Sequence, residues 1–450
     1  MSLAAAVIVD VLVVVACLTA VVMRGGLRHS HPAVLYLTFH VLVVTARGIV
    51  LVLGSPPLLS GVMGFTPPGP DELARAVNYA DVALVAATAG WILARRSEPA
   101  PAPAAPTQSP DTVLRSFDRL LPIVLLLVMP IGLVSLLGQA RVFDDGSGVR
   151  EQAFLGPALA WPGVILLLLI YRYGFRWFLI APMGMYLVIV ALQGSARFRF
   201  LLAVILLCQL SLDRRGRKWP GPAMSAALLA ALLLFFPMKA IADTVVSGGG
   251  LEAAVSTAWD ATAETLHGVD SDQAMLDELA LTIALADDAN YTTWGEQYAG
   301  AAAVLVPRAL WPGKPGLADH LSDISTPDRP LNRLGAATTL AGDLYLSFRL
   351  IGIALIVFLL ARWSMVMYQR AYASGYFTPR RLAYLVGASL TIQFLRDGLA
   401  SIPIFVFVPY LPVTVVVVAW WYATRRNTQP AGYLPPLQDR RLAPKNAGVS

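Results

Sequence analysis

Charge is scarce in this chain. Only 14% of its 450 residues are Asp, Glu, Lys or Arg, where a soluble domain carries roughly a quarter. With 57% hydrophobic residues and a mean hydropathy of +0.64, that scarcity excludes an ordinary water-soluble domain. Cysteine is almost absent. Cys17 and Cys208 lie in separate apolar runs, so neither a disulfide framework nor a thiolate metal set is expected. Histidine is sparse too. His29, His31, His40, His267 and His320 show no ligand spacing with one another or with an acid on one helix face, and no metal site is expected from them. No Gly-rich phosphate-cradling loop occurs, so no nucleotide site is supported. The first apolar run has no basic stretch before it and no small-residue cleavage site, so a removable signal peptide is not expected.

What is abundant is apolar sequence in runs of the ~20 residues that cross a bilayer as helix. The pattern predicts an all-α, polytopic helical membrane protein. It has about eleven spans, at roughly 3–23, 32–54, 74–94, 120–138, 153–171, 177–193, 197–212, 222–241, 337–361, 382–402 and 404–424. Basic residues set the orientation. Arg24 and Arg28, then Arg95, Arg96, Arg115 and Arg119, then Arg172 and Arg176 all fall on one side. Arg214, Arg215, Arg217 and Lys218, then Arg362, Arg370, Arg380 and Arg381, then Arg425 and Arg426 fall on that same side. That side is expected to be the cytoplasm, with the N-terminus outside and the C-terminus inside. The net charge of +6 is mostly this excess, so it does not argue for nucleic acid.

The organisation follows. Residues 1–241 form an N-terminal transmembrane bundle, interrupted by a cytoplasmic Pro/Ala linker at 97–110. Residues 242–336 form the one large extracytoplasmic loop, 337–424 the C-terminal transmembrane helices and 425–450 a cytoplasmic tail. The loop is acidic, and its cations are Arg308, Lys314, Arg329 and Arg333. Its runs 251–268 and 272–286 carry apolar residues at helical spacing and are expected to pack on the membrane domain as a cap.

Candidate chemistry collects at the outer face. The segment Pro307-Arg308-Ala309-Leu310-Trp311-Pro312-Gly313-Lys314-Pro315 holds its cations on a backbone that proline keeps extended or turned. It reads as an anion grip or as an ordinary proline-rich turn. The hairpin Gln193–Arg199 puts Arg197 and Arg199 on the side opposite the other basic residues. They read as ligand contacts or as snorkelling arginines. Arg396-Asp397 lies near the outer end of the tenth span, as a structural ion pair or as a cation held for a ligand. Asp343 and Arg349 flank Tyr345 in the ninth span, and Glu296 lies in Trp294-Gly295-Glu296-Gln297-Tyr298. Each acid reads as a helix-end or loop acid, or as a base. Asp287-Asp288 and Asp144-Asp145 are distant from this group in sequence. Arginine binds phosphate oxygens through paired hydrogen bonds, so three arginine-bearing segments at one face suit a diphosphate without a metal ion. We take Arg308, Arg197, Arg396, Asp343 and Glu296 as candidate catalytic residues. Arg199, Trp311, Lys314, Tyr345, Arg349, Asp397, Arg333 and His320 are candidate substrate contacts.

The order of these segments resembles the O-antigen polymerase (Wzy-type) family of oligosaccharide repeat-unit polymerases, over roughly residues 185–400. The likeness rests on Gly-Ser-Ala-Arg at 194–197, Pro-Arg-Ala-Leu-Trp-Pro-Gly-Lys-Pro at 307–315, Gly-Asp-Leu-Tyr at 342–345 and Leu-Arg-Asp at 395–397. It implies a GT-C-type membrane glycosyltransferase with its site at the outer face of a bacterial cytoplasmic membrane. Donor and acceptor would both be undecaprenyl-diphosphate-linked glycans. Arg197, Arg308 and Arg396 would hold the donor diphosphate and stabilise the leaving group. Asp343 or Glu296 would activate the acceptor hydroxyl. No cofactor is implied, and a chain-length regulator or a flippase would be a partner. A ligase-like transferase of the same lipid-linked glycans shares these features. A transporter or flippase would instead show polar residues near the middle of its spans or broken helices.

Overall fold

The computed structural model describes residues 1–24, 27–57, 66–94, 110–139, 158–192, 197–235, 275–303, 310–313, 319–329, 338–373, 376–403 and 408–426, with scattered positions at 237–260 and at 306. Among the described residues the fold is helical and has no strand beyond one isolated bridge, Thr326 to Arg329. Five helices are long and apolar enough to cross a membrane: Leu3–Met23, Pro32–Val52, Pro70–Leu93, Leu114–Ser135 and Leu340–Ala373. Trp161–Tyr173, Trp177–Ala191, Pro222–Leu232 and Leu411–Thr424 are apolar but shorter. The chain is therefore an all-α, membrane-embedded protein.

We number the helices α1 (Leu3–Met23), α2 (Pro32–His40), α3 (Ala46–Val52), α4 (Pro70–Leu93), α5 (Pro110–Gln139), α6 (Trp161–Tyr173), α7 (Trp177–Leu192), α8 (Arg197–Arg214) and α9 (Pro222–Phe235). Then come α10 (Met275–Asp288), α11 (Glu296–Ala303), α12 (Asp319–Ser322), α13 (Leu340–Ala373), α14 (Pro379–Ser389), α15 (Thr391–Asp397) and α16 (Leu411–Arg426). A π-helical turn, Val41–Thr45, joins α2 to α3. Such turns interrupt a helix without ending it.

Two apolar cores result. The first gathers α1 to α4 with α10 and α13, through residues such as Leu84, Leu276, Leu344 and Ile353. The second gathers α5 to α8 with α14 and α16, around Phe117, Leu206, Leu385 and Trp420. Lipid is as apolar as leucine, so membrane helices associate by close packing. The α4–α13 contact shows how. A Cβ at Gly90 would sit 2.4 Å from the Phe358 carbonyl oxygen and 2.9 Å from the Arg362 nitrogen. Only glycine allows the two backbones that approach.

Two expectations are revised and one is extended. The tenth span, expected as one helix over 382–402, is broken into α14, α15 and a 3₁₀ turn at Leu399–Ser401, with Gly398 at φ +72° between the last two. Helix α10 packs on the membrane helices with every residue from Met275 to Ala286 buried, so it is part of the first core as well as a cover. Of the run 251–268, positions 252–253, 255–258 and 260 are helical, and 261–274 lie outside the described residues. Third, ionisable residues do occur near the middle of the apolar helices, as given below. The linker 97–110, apart from the first residue of α5, and the tail beyond Arg426 also lie outside the described residues.

The two ends of the bundle gather different connections. At one end the His29 amide donates to the Lys218 carbonyl. There too Asp213 accepts from Tyr372 and, through both oxygens, from Arg381. At the other end Thr66 donates to Asp328 and Arg329 pairs with Glu72. The basic connections thus share one end and the acidic loop shares the other.

Candidate functional site at one end of the bundle

Asp343 is the centre of the loop end. It lies in the first turns of α13 and is only 1% exposed. Its carboxylate accepts Gln297 Nε2 at 3.1 Å, Tyr298 Oη at 3.3 Å, the Leu399 amide at 2.7 Å and the Ala400 amide at 3.4 Å. The last two amides are the free N–H groups created where α15 breaks at Gly398. A buried, unpaired backbone N–H is costly in lipid, and this carboxylate satisfies two of them. Gln297 is itself fixed by the Asp343 carbonyl and by Ser347 Oγ. Burial, with the Asp343 carboxylate adding to it, raises the Tyr298 phenol well above its usual range.

Gln297 and Tyr298 from the Trp294–Tyr298 stretch and the backbone at Gly398–Ala400, just past Arg396-Asp397, therefore meet at the Asp343 carboxylate. Asp343 faces donors of the protein rather than open space. Arg396 and Asp397 stand at the end of α15, with Nη1 3.4 Å from Oδ1 and side chains 21% and 11% exposed. Gln393 donates to the other oxygen of Asp397. Glu296 is exposed at the first position of α11.

A second network lies beside this one. Helix α13 loses its helical backbone at Phe348 and Arg349, and Arg349 takes φ +57°. Its guanidinium donates to Thr292 Oγ1 at 3.0 Å, to Asp287 Oδ1 at 2.7 Å and to the Ala286 carbonyl at 3.1 Å. Tyr345 Oη donates to the same Asp287 oxygen at 2.6 Å, and Arg75 reaches the other at 2.8 Å. Asp287, set aside by its sequence distance, is in fact the hub of the group that holds Tyr345 and Arg349. Nearby, burial and the Asp323 carboxylate push the Tyr291 phenol up to about 12.

The other candidates divide. Trp311 is half exposed on its turn. Arg199 is half buried near Tyr186 and Tyr410. Arg308, Lys314 and Arg333 lie outside the described residues, as do the side chains of Arg197 and His320.

Sequence reasoning missed two buried constellations. Arg47 of α3 donates Nε to Asp277 Oδ2 at 3.0 Å and Nη2 to Oδ1 at 3.3 Å, with side chains 2% and 0% exposed. His40 of α2 bonds Asp10 of α1 at 2.7 Å and lies 3.6 Å from Asp81 of α4. No histidine has ligand spacing with an acid on its own helix face, yet His40 has two carboxylates beside it. The partners come from three helices, where spacing along one helix gives no signal. An ionisable residue inside an apolar run was the available sign.

Comparison with known protein families, with curated proteins and with solved structures found no match.

Proposed function

We propose that this protein is a membrane glycosyltransferase that polymerises undecaprenyl-diphosphate-linked repeat units at the outer face of a bacterial cytoplasmic membrane. The observation that carries the reading is the convergence on Asp343. Of the four segments that carry the family resemblance, Gly342–Tyr345 holds Asp343 itself and Leu395–Asp397 runs into the Gly398 break beside it. With Gln297 and Tyr298 these two form one site at the loop end of the bundle, while 194–196 and most of the 307–315 segment lie outside the described residues. Arg396 stands there on a broken helix, partly open to its surroundings, where a diphosphate headgroup would lie. In this reading Arg396, with Arg197 and Arg308, stabilises the lipid diphosphate as it leaves the donor sugar. Asp343 shapes the site by fixing the break in α15, and Glu296 is the exposed carboxylate available as a base.

A lipid-linked glycan transporter is the second reading. The broken α14–α15 helix and the buried Asp10–His40–Asp81 group both favour it, because transporters place such features near mid-membrane. The lipid-linked glycans of cells lacking this gene separate the readings. Loss of a polymerase leaves single repeat units on the lipid at the outer face. Loss of a ligase leaves long lipid-linked chains. Loss of a transporter leaves no lipid-linked glycan at the outer face and would overturn the polymerase reading.

A further inference from the structure

Asp10, His40 and Asp81 sit near the middles of three apolar helices, and their ligand atoms all lie within 4.8 Å of one another. They are 0%, 3% and 6% exposed. His40 Nε2 lies 2.7 Å from Asp10 Oδ1 and 3.6 Å from Asp81 Oδ1. Asp10 Oδ2 and both oxygens of Asp81 are buried with no hydrogen-bond partner, and so is Thr45 Oγ1 on the π turn beside them. Carboxylate oxygens left this way are costly in an apolar interior, and a hydrocarbon surround has no water to repair them.

We propose that this group is a binding site for one divalent transition-metal ion, held by His40 Nε2 and by the carboxylates of Asp10 and Asp81. The donor set argues for it. One imidazole nitrogen and two carboxylates match the hard-to-borderline ligands of zinc or manganese. As metal ligands the two carboxylates would be ionised and the imidazole neutral, and a divalent ion would cancel the two negative charges where uncompensated charge is least tolerated. An ion at ordinary ligand distances of ~2.0–2.2 Å needs donors slightly further apart than the 2.7 Å of the His40–Asp10 bond. A modest opening of the group supplies that space. The π turn beginning at Val41 fits such a role, since π turns collect at functional sites. A small apolar cavity lined by His40, Ala80, Met275, Leu279 and Thr339 lies beside the group. The ion would tie α1, α2 and α4 together, apart from the chemistry proposed at Asp343.

The test uses the full chain, purified in detergent and stripped with EDTA, then titrated with Zn²⁺ or Mn²⁺ alone. Binding is read by metal analysis and by thermal unfolding. The wild type is expected to take up one ion per chain with a rise in Tm. Asp81→Asn and His40→Gln should weaken that binding by more than about 100-fold, beyond the loss seen for outer-shell changes. Equal binding by wild type and Asp81→Asn would place the ion elsewhere and overturn the proposal, as would a wild type that takes up neither metal. If the variants do not fold, X-ray absorption of the zinc-loaded wild type decides. A shell of nitrogen and oxygen with one imidazole supports the site, and a shell lacking imidazole overturns it. None of these outcomes depends on glycan polymerisation.

Discussion

The carboxylate of Asp343 fills the space that a side chain at position 398 would need. A Cβ at Gly398 would lie 2.6 Å from Asp343 Cβ and 2.7 Å from its Oδ2, on a backbone with φ +72°. Gly398→Ala should therefore destabilise the protein by about 1–2 kcal/mol through the left-handed backbone and by about 1–3 kcal/mol through overpacking. Thermal unfolding in detergent measures this. An unchanged Tm would mean that the break in α15 is not held by Asp343.

Asp343 and Gln297 should behave as one unit. Asp343→Asn puts an amide donor where only donors stand, and Gln297→Leu removes one of them. Each should lower stability by about 1–3 kcal/mol, the usual cost of a buried polar group left unpaired. A general base would behave differently. Asp343→Asn would then lose polymer at an unchanged Tm, and Gln297→Leu would have little effect on either.

The Arg47–Asp277 pair ties α3 to α10 inside the first core. Removing one partner leaves a buried charge, so Arg47→Met alone should cost about 3–5 kcal/mol. The double variant Arg47→Met, Asp277→Leu should recover most of that loss, because an apolar pair often replaces a buried ion pair at little cost. A double variant no more stable than Arg47→Met would show that the charges hold the two helices in register.

His31 gives a pH dependence whose sign follows from burial. It caps α2 by accepting the Ala33 amide at 3.2 Å, and burial lowers its pKa from 6.5 to about 4. The folded state thus favours neutral imidazole. Its contribution to stability is complete above about pH 6.5 and is lost as pH falls toward 4, by about 3 kcal/mol in all. His31→Asn keeps a capping acceptor and does not titrate. Its unfolding free energy should fall less than the wild type's between pH 6.5 and 4. Parallel pH profiles would refute the assignment.

Orientation is open to direct labelling. Ser256 is exposed in the acidic loop. Ser256→Cys should react with an impermeant thiol reagent in intact cells, and Ser109→Cys in the linker should not. The reverse pattern would move the Asp343 site to the cytoplasmic face.

Much of the helical plan was legible from apolar run length alone, as α1, α4 and α13 show. The break at Gly398 was not, because the run 382–402 has the length of one span and its Arg396-Asp397 reads as a polar outer end as readily as a helix break. The site was legible in part. Asp343, Tyr345 and Arg396 stand out as ionisable or polar residues in apolar surroundings, and such residues carry information wherever they occur. Their partners were not visible. Asp287 precedes Tyr345 by more than fifty residues in the chain, yet its carboxylate holds Arg75, Tyr345 and Arg349 together. Asp10, His40 and Asp81 meet only because three helices pack side by side, and no periodicity within a single helix encodes that. Residue types announce which groups need partners, and the packing alone decides which partners they find.

The interruption of α13 at Phe348 and Arg349 divides that helix into two rods. The upper rod is fastened to the loop. The Leu346 carbonyl accepts the Thr293 amide at 2.9 Å, and Ser347 and Asp343 hold Gln297. The lower rod is fastened to α4 at Gly90. Residues 340–347 are thus held both by the loop and by the first core, in which Leu340, Leu344 and Leu346 are buried. Hydrogen bonds link the loop, through Gln297 and Tyr298, to Asp343, and Asp343 to the Leu399 and Ala400 amides just past Arg396. The loop and the backbone that carries the arginine proposed to hold the diphosphate thus share one carboxylate as their common anchor.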